Sequence, residues 1–116
     1  MLTRVDHIDL KVPDLNATVA FFTSIGFEVL RRMEDRGSVE VALPGENQVM
    51  FEIRQDDNVQ GQKIDHIAFA VDDPDATIEL IEGAGVSFSR KHHPTPTGRT
   101  VSNFVDLNGG KWQLAE

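Results

Sequence analysis

Along residues 3–12 apolar and polar side chains alternate, with Ile8, Leu10 and Val12 on one face and Val5, His7, Asp9 and Lys11 on the other. That two-residue period predicts a half-buried strand. Pro13-Asp14 interrupts it, Asp14 stands where a helix cap would, and Leu15, Val19, Phe22 and Ile25 recur at helical spacing until Gly26. A helix covering the strand's apolar face is therefore expected. Three more strand-like runs follow at residues 27–30, 38–43 and 48–55, divided by turn signals at Asp35-Arg36-Gly37 and Pro44-Gly45-Glu46-Asn47. The first half reads βαβββ.

The second half repeats it. Val5-Asp6-His7-Ile8 returns 59 positions later as Ile64-Asp65-His66-Ile67, and the same offset keeps Val12/Val71, Asp14/Asp73, Ala17/Ala76, Thr18/Thr77 and Gly26/Gly85 identical. Strands are expected at residues 63–71, 86–89, 99–105 and 111–115, with a helix opening at Asp73-Pro74 and stopping at Gly83-Ala84-Gly85. Residues 90–98 hold Lys-His-His-Pro-Thr-Pro-Thr and read as a proline-broken loop longer than its counterpart in the first copy. The chain is thus one α+β domain, residues 1–116, of two tandem βαβββ modules, 1–58 and 59–116. Each is too small to be comfortable alone, so a shared core is expected.

Composition narrows the chemistry. No cysteine is present, which removes disulfides, zinc-thiolate sites and thiol nucleophiles, and fits a cytoplasmic address. A formal charge of -8 argues against nucleic acid, whose binding rests on clustered Lys and Arg. No apolar run approaches the ~20 residues needed to span a bilayer, and no secretory signal precedes the first strand. A small-molecule partner or a metal cation is the easier fit. Gly-rich phosphate loops and a Ser/His/Asp nucleophile pattern are missing as well.

Strand parity then points to a site. His7 and Glu52 lie on the faces turned away from the helix in their strands, and His66 and Gln113 do the same in the second copy. One histidine on a strand reads as a residue satisfied by a backbone carbonyl. Two at repeat-related places, with a carboxylate and an amide at matching places in the terminal strands, point to a divalent metal. Glu52 read alone is a solvated strand residue or a salt-bridge partner of Arg54 or Arg99. As the only titratable oxygen donor of the four, it is the expected proton shuttle, since an amide such as Gln113 does not titrate near neutrality. Arg54 and Arg99 are candidates to hold an anionic substrate group. His92 and His93, adjacent in the Pro-rich segment, are candidates for substrate contact or plain exposure.

Asp6-His7-Ile8 with Val12-Pro13-Asp14-Leu15, Gly26-Phe27, residues 65–73 (DHIAFAVDD) and residues 106–114 (DLNGGKWQL) resemble the vicinal oxygen chelate superfamily of glyoxalases, bleomycin resistance proteins and dioxygenases. The resemblance covers essentially the whole chain. It implies curled mixed sheets forming a cleft, usually completed by a homodimer, and metal ligands at His7, Glu52, His66 and Gln113. The ion would be Ni, Zn, Mn, Co or Fe(II). The expected activity is that of a metal-dependent lyase or isomerase of glyoxalase I type on a small carbonyl or vicinal-oxygen substrate. The alternative is a metal-free protein that sequesters an antibiotic of bleomycin type. An extradiol dioxygenase is the third reading, disfavoured because that group ends its ligand set with a glutamate where this chain has Gln113.

Overall fold

A computed structural model describes all residues, Met1–Glu116. Its elements run β1 (Leu2–Val12), α1 (Leu15–Ser24), β2 (Glu28–Met33), β3 (Ser38–Ala42), β4 (Met50–Gln55), β5 (Lys63–Val71), α2 (Pro74–Gly83), β6 (Phe88–Pro94), β7 (Thr100–Val105) and β8 (Lys111–Ala115). The βαβββ order expected from the periodicity occurs twice, and the class is α+β. Neither helix is long and apolar enough to cross a membrane.

Both helices start as the sequence dictates. The Asp14 carboxylate accepts from the Ala17 amide at 3.0 Å and that of Asp73 from the Ala76 amide at 3.1 Å, which satisfies an otherwise orphaned donor in each first turn. In α2 Pro74 adds a preset φ at a position needing no amide hydrogen. After each helix the chain reverses through a glycine with positive φ, Gly26 at 112° and Gly85 at 96°, a conformation L side chains resist.

The chain divides into two compact units. One is His7–Asp65, the other Met1–Asp6 together with His66–Glu116. In the His7–Asp65 unit the strand order is β2-β3-β4-β1, with β1 parallel to β4 and the other pairs antiparallel. Its core is Val12, Val19, Val39, Val41 and Ile53, joined by Leu15, Phe22, Phe27 and Phe51. Every one of the strand members belongs to the face covered by α1. Phe22 and Phe27 meet edge to face at 4.8 Å, a geometry that adds to the area each ring buries.

The second unit has the order β5-β8-β7-β6, again with one parallel pair, β5 and β8. Ala68, Ile78, Val101 and Leu114 are buried, and Phe69 stacks on Trp112 at 5.4 Å. The first residues of β1 belong here: Thr3 Oγ1 donates to the Ala70 carbonyl at 3.1 Å, and the Met1 ammonium pairs with Asp72.

One expectation is corrected. Residues 90–94 are not loop but the body of β6, paired to β7 with register shifts between Phe88 and Arg90 and between Arg90 and His93. The bulge absorbs the irregular sequence: His92 takes φ 49° and its amide finds the Ser102 hydroxyl at 3.0 Å. β6 is an edge strand, so Pro94 at its end removes no needed donor. The true turn is confined to residues 95–98, closed by the Thr95 amide on the Arg99 carbonyl at 2.8 Å.

Candidate functional site

The face of the His7–Asp65 sheet away from α1 is polar, yet much of it is buried. Register fixes its layout. Across β1 and β4, His7 stands beside Met50, Asp9 beside Glu52 and Lys11 beside Arg54; across β3 and β4, Ser38 stands beside Arg54 and Glu40 beside Glu52; β2 sets Arg31 beside Glu40. Residues abreast in neighbouring strands point to the same side. Glu40, Glu52 and Asp9 therefore form a row of three carboxylates on adjacent strands, 8%, 5% and 0% exposed.

Such a row is unstable unless each charge is answered, because like charges directly opposite repel and burial strips their water. Each carboxylate has its own cation. Arg31 grips Glu40 with two bonds of 3.2 and 3.1 Å, Arg36 Nη2 donates to Glu52 Oε1 at 2.9 Å, and Arg54 Nε donates to Asp9 Oδ1 at 3.0 Å. Arg54 also reaches Asp65 at 3.4 Å, and Lys11 Nζ holds the other oxygen of Asp65 at 3.0 Å. Asp9 and Asp65 each have an oxygen within 4.8 Å of the other's, a spacing that the shared Arg54 makes tolerable. Two polar atoms on the β3 side of this face are buried with no hydrogen-bond partner: Arg36 Nε and Ser38 Oγ.

Of the residues expected from sequence, His7 and Glu52 share this face, on adjacent strands and two registers apart, and both are buried. Glu52 takes neither Arg54 nor Arg99 as its salt-bridge partner. Arg54, two residues along the same strand, turns to Asp9; Arg36 arrives instead from the single 3-10 turn Glu34–Arg36, where Gly37 at φ 63° redirects the chain into β3.

In the other unit His66 is half-buried on β5, and Gln113 is buried on β8, beside Ala68 of β5 and Asn103 of β7. Arg99 Nη1 donates to Asp6 Oδ2 at 3.1 Å, and Arg4 adds a longer bond of 3.4 Å to the same carboxylate. Asp6 and its repeat-mate Asp65 are thus both ion-paired, by different cations. His92 bridges two carboxylates, Nδ1 to Glu116 and Nε2 to Asp75, each at 2.9 Å; these contacts, that of Glu116 foremost, raise its pKa above the ordinary value. His93, in the same strand, is exposed.

Sequence reading missed Arg36, Ser38, Glu40, Asp9 and Asp65 as site residues. Parity had already set Asp9 with His7 and Arg54 with Glu52. The signal that parity carried, and that single-residue reasoning passed over, was an excess of charged types on one face of three successive strands.

Comparison with known proteins gives a consistent picture. The family model described as Glyoxalase/Bleomycin resistance protein/Dioxygenase superfamily matches residues 4–114. The chain is 30% identical to the lactoylglutathione lyase of Salmonella typhimurium, over 97% of this chain and 92% of that protein. It is 29% identical to the probable chloroplastic lactoylglutathione lyase of Arabidopsis thaliana, but there 97% of this chain spans only 35% of the relative's length. Among solved structures, a methylmalonyl-CoA epimerase variant of Streptomyces coelicolor in complex with 2-nitronate-propionyl-CoA superposes with TM-score 0.75 at 25% identity, over 99% of this chain and 97% of that one.

Proposed function

Because the chain belongs to the Glyoxalase/Bleomycin resistance protein/Dioxygenase superfamily, we propose that it is a metal-dependent lyase or isomerase of small carbonyl compounds. The observation that carries this reading is the burial of His7 and Glu52 together on the sheet face away from α1. An imidazole and a carboxylate placed there have no role in the apolar core.

The donor set fits a divalent transition metal. Two imidazoles (His7, His66), one carboxylate (Glu52) and one amide oxygen (Gln113) are borderline ligands with a summed charge of about -1, suited to Ni, Zn, Mn, Co or Fe(II). A bound ion would supply Lewis-acid polarisation of a substrate carbonyl oxygen. The proton chemistry falls to Glu52, whose carboxylate takes the proton from the carbon next to that carbonyl and returns it one atom away. Arg36 on Oε1 orients the carboxylate and leaves Oε2, which would serve the ion at rest and be free of it for the transfer. One base suffices for such an isomerisation. An epimerisation needs proton transfer on two faces, and Gln113 supplies no second base.

A second reading rests on a specific observation: Glu52 is already matched by Arg36 and its neighbours by Arg31, Arg54 and Lys11. A face balanced in this way also suits a metal-free protein that sequesters a small molecule. Elemental analysis of protein purified without chelator separates the two. About one equivalent of transition metal per chain, lost in His66→Ala, together with lactoylglutathione lyase turnover that Glu52→Gln abolishes, supports the enzyme. Metal-free protein that reconstitution leaves inactive refutes it.

A further inference from the structure

The two buried atoms on the β3 side of the polar face, Arg36 Nε and Ser38 Oγ, are both hydrogen-bond donors, and the chain gives a reason to take them together. Arg36 and Ser38 flank Gly37 where the 3-10 turn enters β3. Ser38 is 2% exposed and its hydroxyl has no partner in the protein. Arg36 spends Nη2 on Glu52 while its Nε, equally shielded from solvent, donates to nothing. Buried donors left unsatisfied cost folding free energy comparable to a lost hydrogen bond, and native proteins keep few of them. One that persists calls for an acceptor that the protein does not itself supply, a water or a ligand oxygen.

We infer that Arg36 Nε and Ser38 Oγ form an oxygen-binding subsite next to Glu52, which takes a neutral carbonyl or hydroxyl oxygen of the substrate. The inference rests on the proposed reading only in taking this face as the substrate-binding one. Charge selects a neutral oxygen over an anion. The four carboxylates Glu40, Glu52, Asp9 and Asp65 are answered by the four cations Arg31, Arg36, Arg54 and Lys11. In the metal-free protein an added carboxylate or phosphate would leave this buried face with an uncompensated negative charge, whereas a carbonyl oxygen accepts both hydrogen bonds and alters no balance. An oxygen held here lies beside the residue proposed to move the proton, so the subsite would select substrates with a second oxygen near the reacting carbon.

The test is an NMR titration of the chelator-treated, 15N-labelled protein, following the Arg36 Nε–H and the Ser38 amide. The probes are hydroxyacetone, a neutral hydroxy-ketone, and pyruvate, its anionic counterpart, at matched ionic strength. The expected result is a saturable shift of both resonances with hydroxyacetone, weakened about 3- to 10-fold in Ser38→Ala, as loss of one hydrogen bond predicts. Because Ser38 Oγ bonds nothing in the protein, this variant keeps the wild-type fold, and its remaining amide spectrum checks that. Pyruvate should bind more weakly than hydroxyacetone.

Three outcomes overturn the inference: no saturable shift with either probe, equal binding in wild type and Ser38→Ala, or tighter binding of pyruvate. An Arg36 Nε–H that exchanges with one trapped water and ignores both probes assigns the site to solvent and likewise rejects it. Glu52→Gln keeps the two proposals apart. If that variant retains the titration while wild-type protein shows no turnover, the catalytic reading fails and the subsite stands.

Discussion

Arg36→Met removes the cation from Glu52 while keeping most of the side chain's length, and the structure sets the size of the effect. Breaking a fully buried ion pair by deleting one partner costs about 3–5 kcal/mol, most of it the penalty of a stranded charge. Glu52 is nearly that buried at 6% side-chain exposure, but Arg36 is 27% exposed, so water admitted at the vacated place recovers part of the loss. A destabilisation of about 2 kcal/mol follows. In urea, with a slope of about 1–2 kcal/mol/M for a chain of this size, the midpoint should fall by roughly 1 M or more.

The double variant with Glu52→Gln should regain most of that loss, giving a coupling of about 1–2 kcal/mol in the cycle. Circular dichroism against urea, on chelator-treated protein at neutral pH, measures all four species. An Arg36→Met stability within about 0.5 kcal/mol of wild type, or strictly additive effects, would refute the claim that this pair neutralises the buried carboxylate row. Repeating the series with Ni(II) or Zn(II) ties the result to function. If Glu52 ligates the ion, Arg36 competes with it, and the metal should stabilise Arg36→Met more than wild type, because binding to the native state raises stability by mass action.

Ile53 is fully buried in the core under α1, and Ile53→Ala should cost about 2–5 kcal/mol in the same urea assay with little change in slope. His92 has a raised pKa caused first by Glu116 and then by Asp75, so its contribution to stability is full below its unfolded value of about 6.5 and is lost as pH rises through the folded one. The difference in melting temperature between wild type and His92→Gln should therefore be larger at pH 5.5 than at pH 8.5, and a constant difference would contradict the bridged geometry. Gly110 leaves no room for a side chain: a Cβ there would lie 2.8 Å from Asp106 Oδ2, the oxygen that accepts from Trp112 Nε1 at 2.7 Å. Gly110→Ala should displace that carboxylate, which shows as a changed Trp112 emission spectrum and, because its hydrogen bonds hold the Asp106 pKa down, as a rise of that pKa by NMR.

Most of the architecture was legible because its signals are local and repeated. Alternation over residues 3–12, the Asp14 and Asp73 caps and the Gly26 and Gly85 stops each state one element, and the second copy restates it. The strand at residues 90–94 escaped because its paired histidines and Pro94 lack strand alternation, although its partner β7 follows after one short turn, and its bulge uses a histidine at positive φ where sequence rules look for glycine. Parity placed His7 and Glu52 on one sheet face, as the register of β1 and β4 has it. It could not choose the partner of Glu52, since Arg36 lies in a turn whose direction is set by Gly37 and by register with β4, information that no run of alternating residues contains. The ion-paired role of Asp6 and Asp65 was hidden for a related reason: the repeat advertised the two acids, but their cations come from unrelated positions in each copy.

The division of β1 between the two units bears on the order in which the chain is assembled. Residues 7–65 are contiguous, so they can collapse as soon as they leave a ribosome. The other unit needs Met1–Asp6, made first, to dock beside a partner strand made some sixty residues later. Those residues must wait until β5 is synthesised, and closing so long a loop is the slow kind of step in folding. A pulse of hydrogen exchange during refolding should find amides of β3 and β4 protected well before those of the β1 amino-terminal end. A mutation that delays docking would lengthen the time this unpaired strand is on offer to other chains.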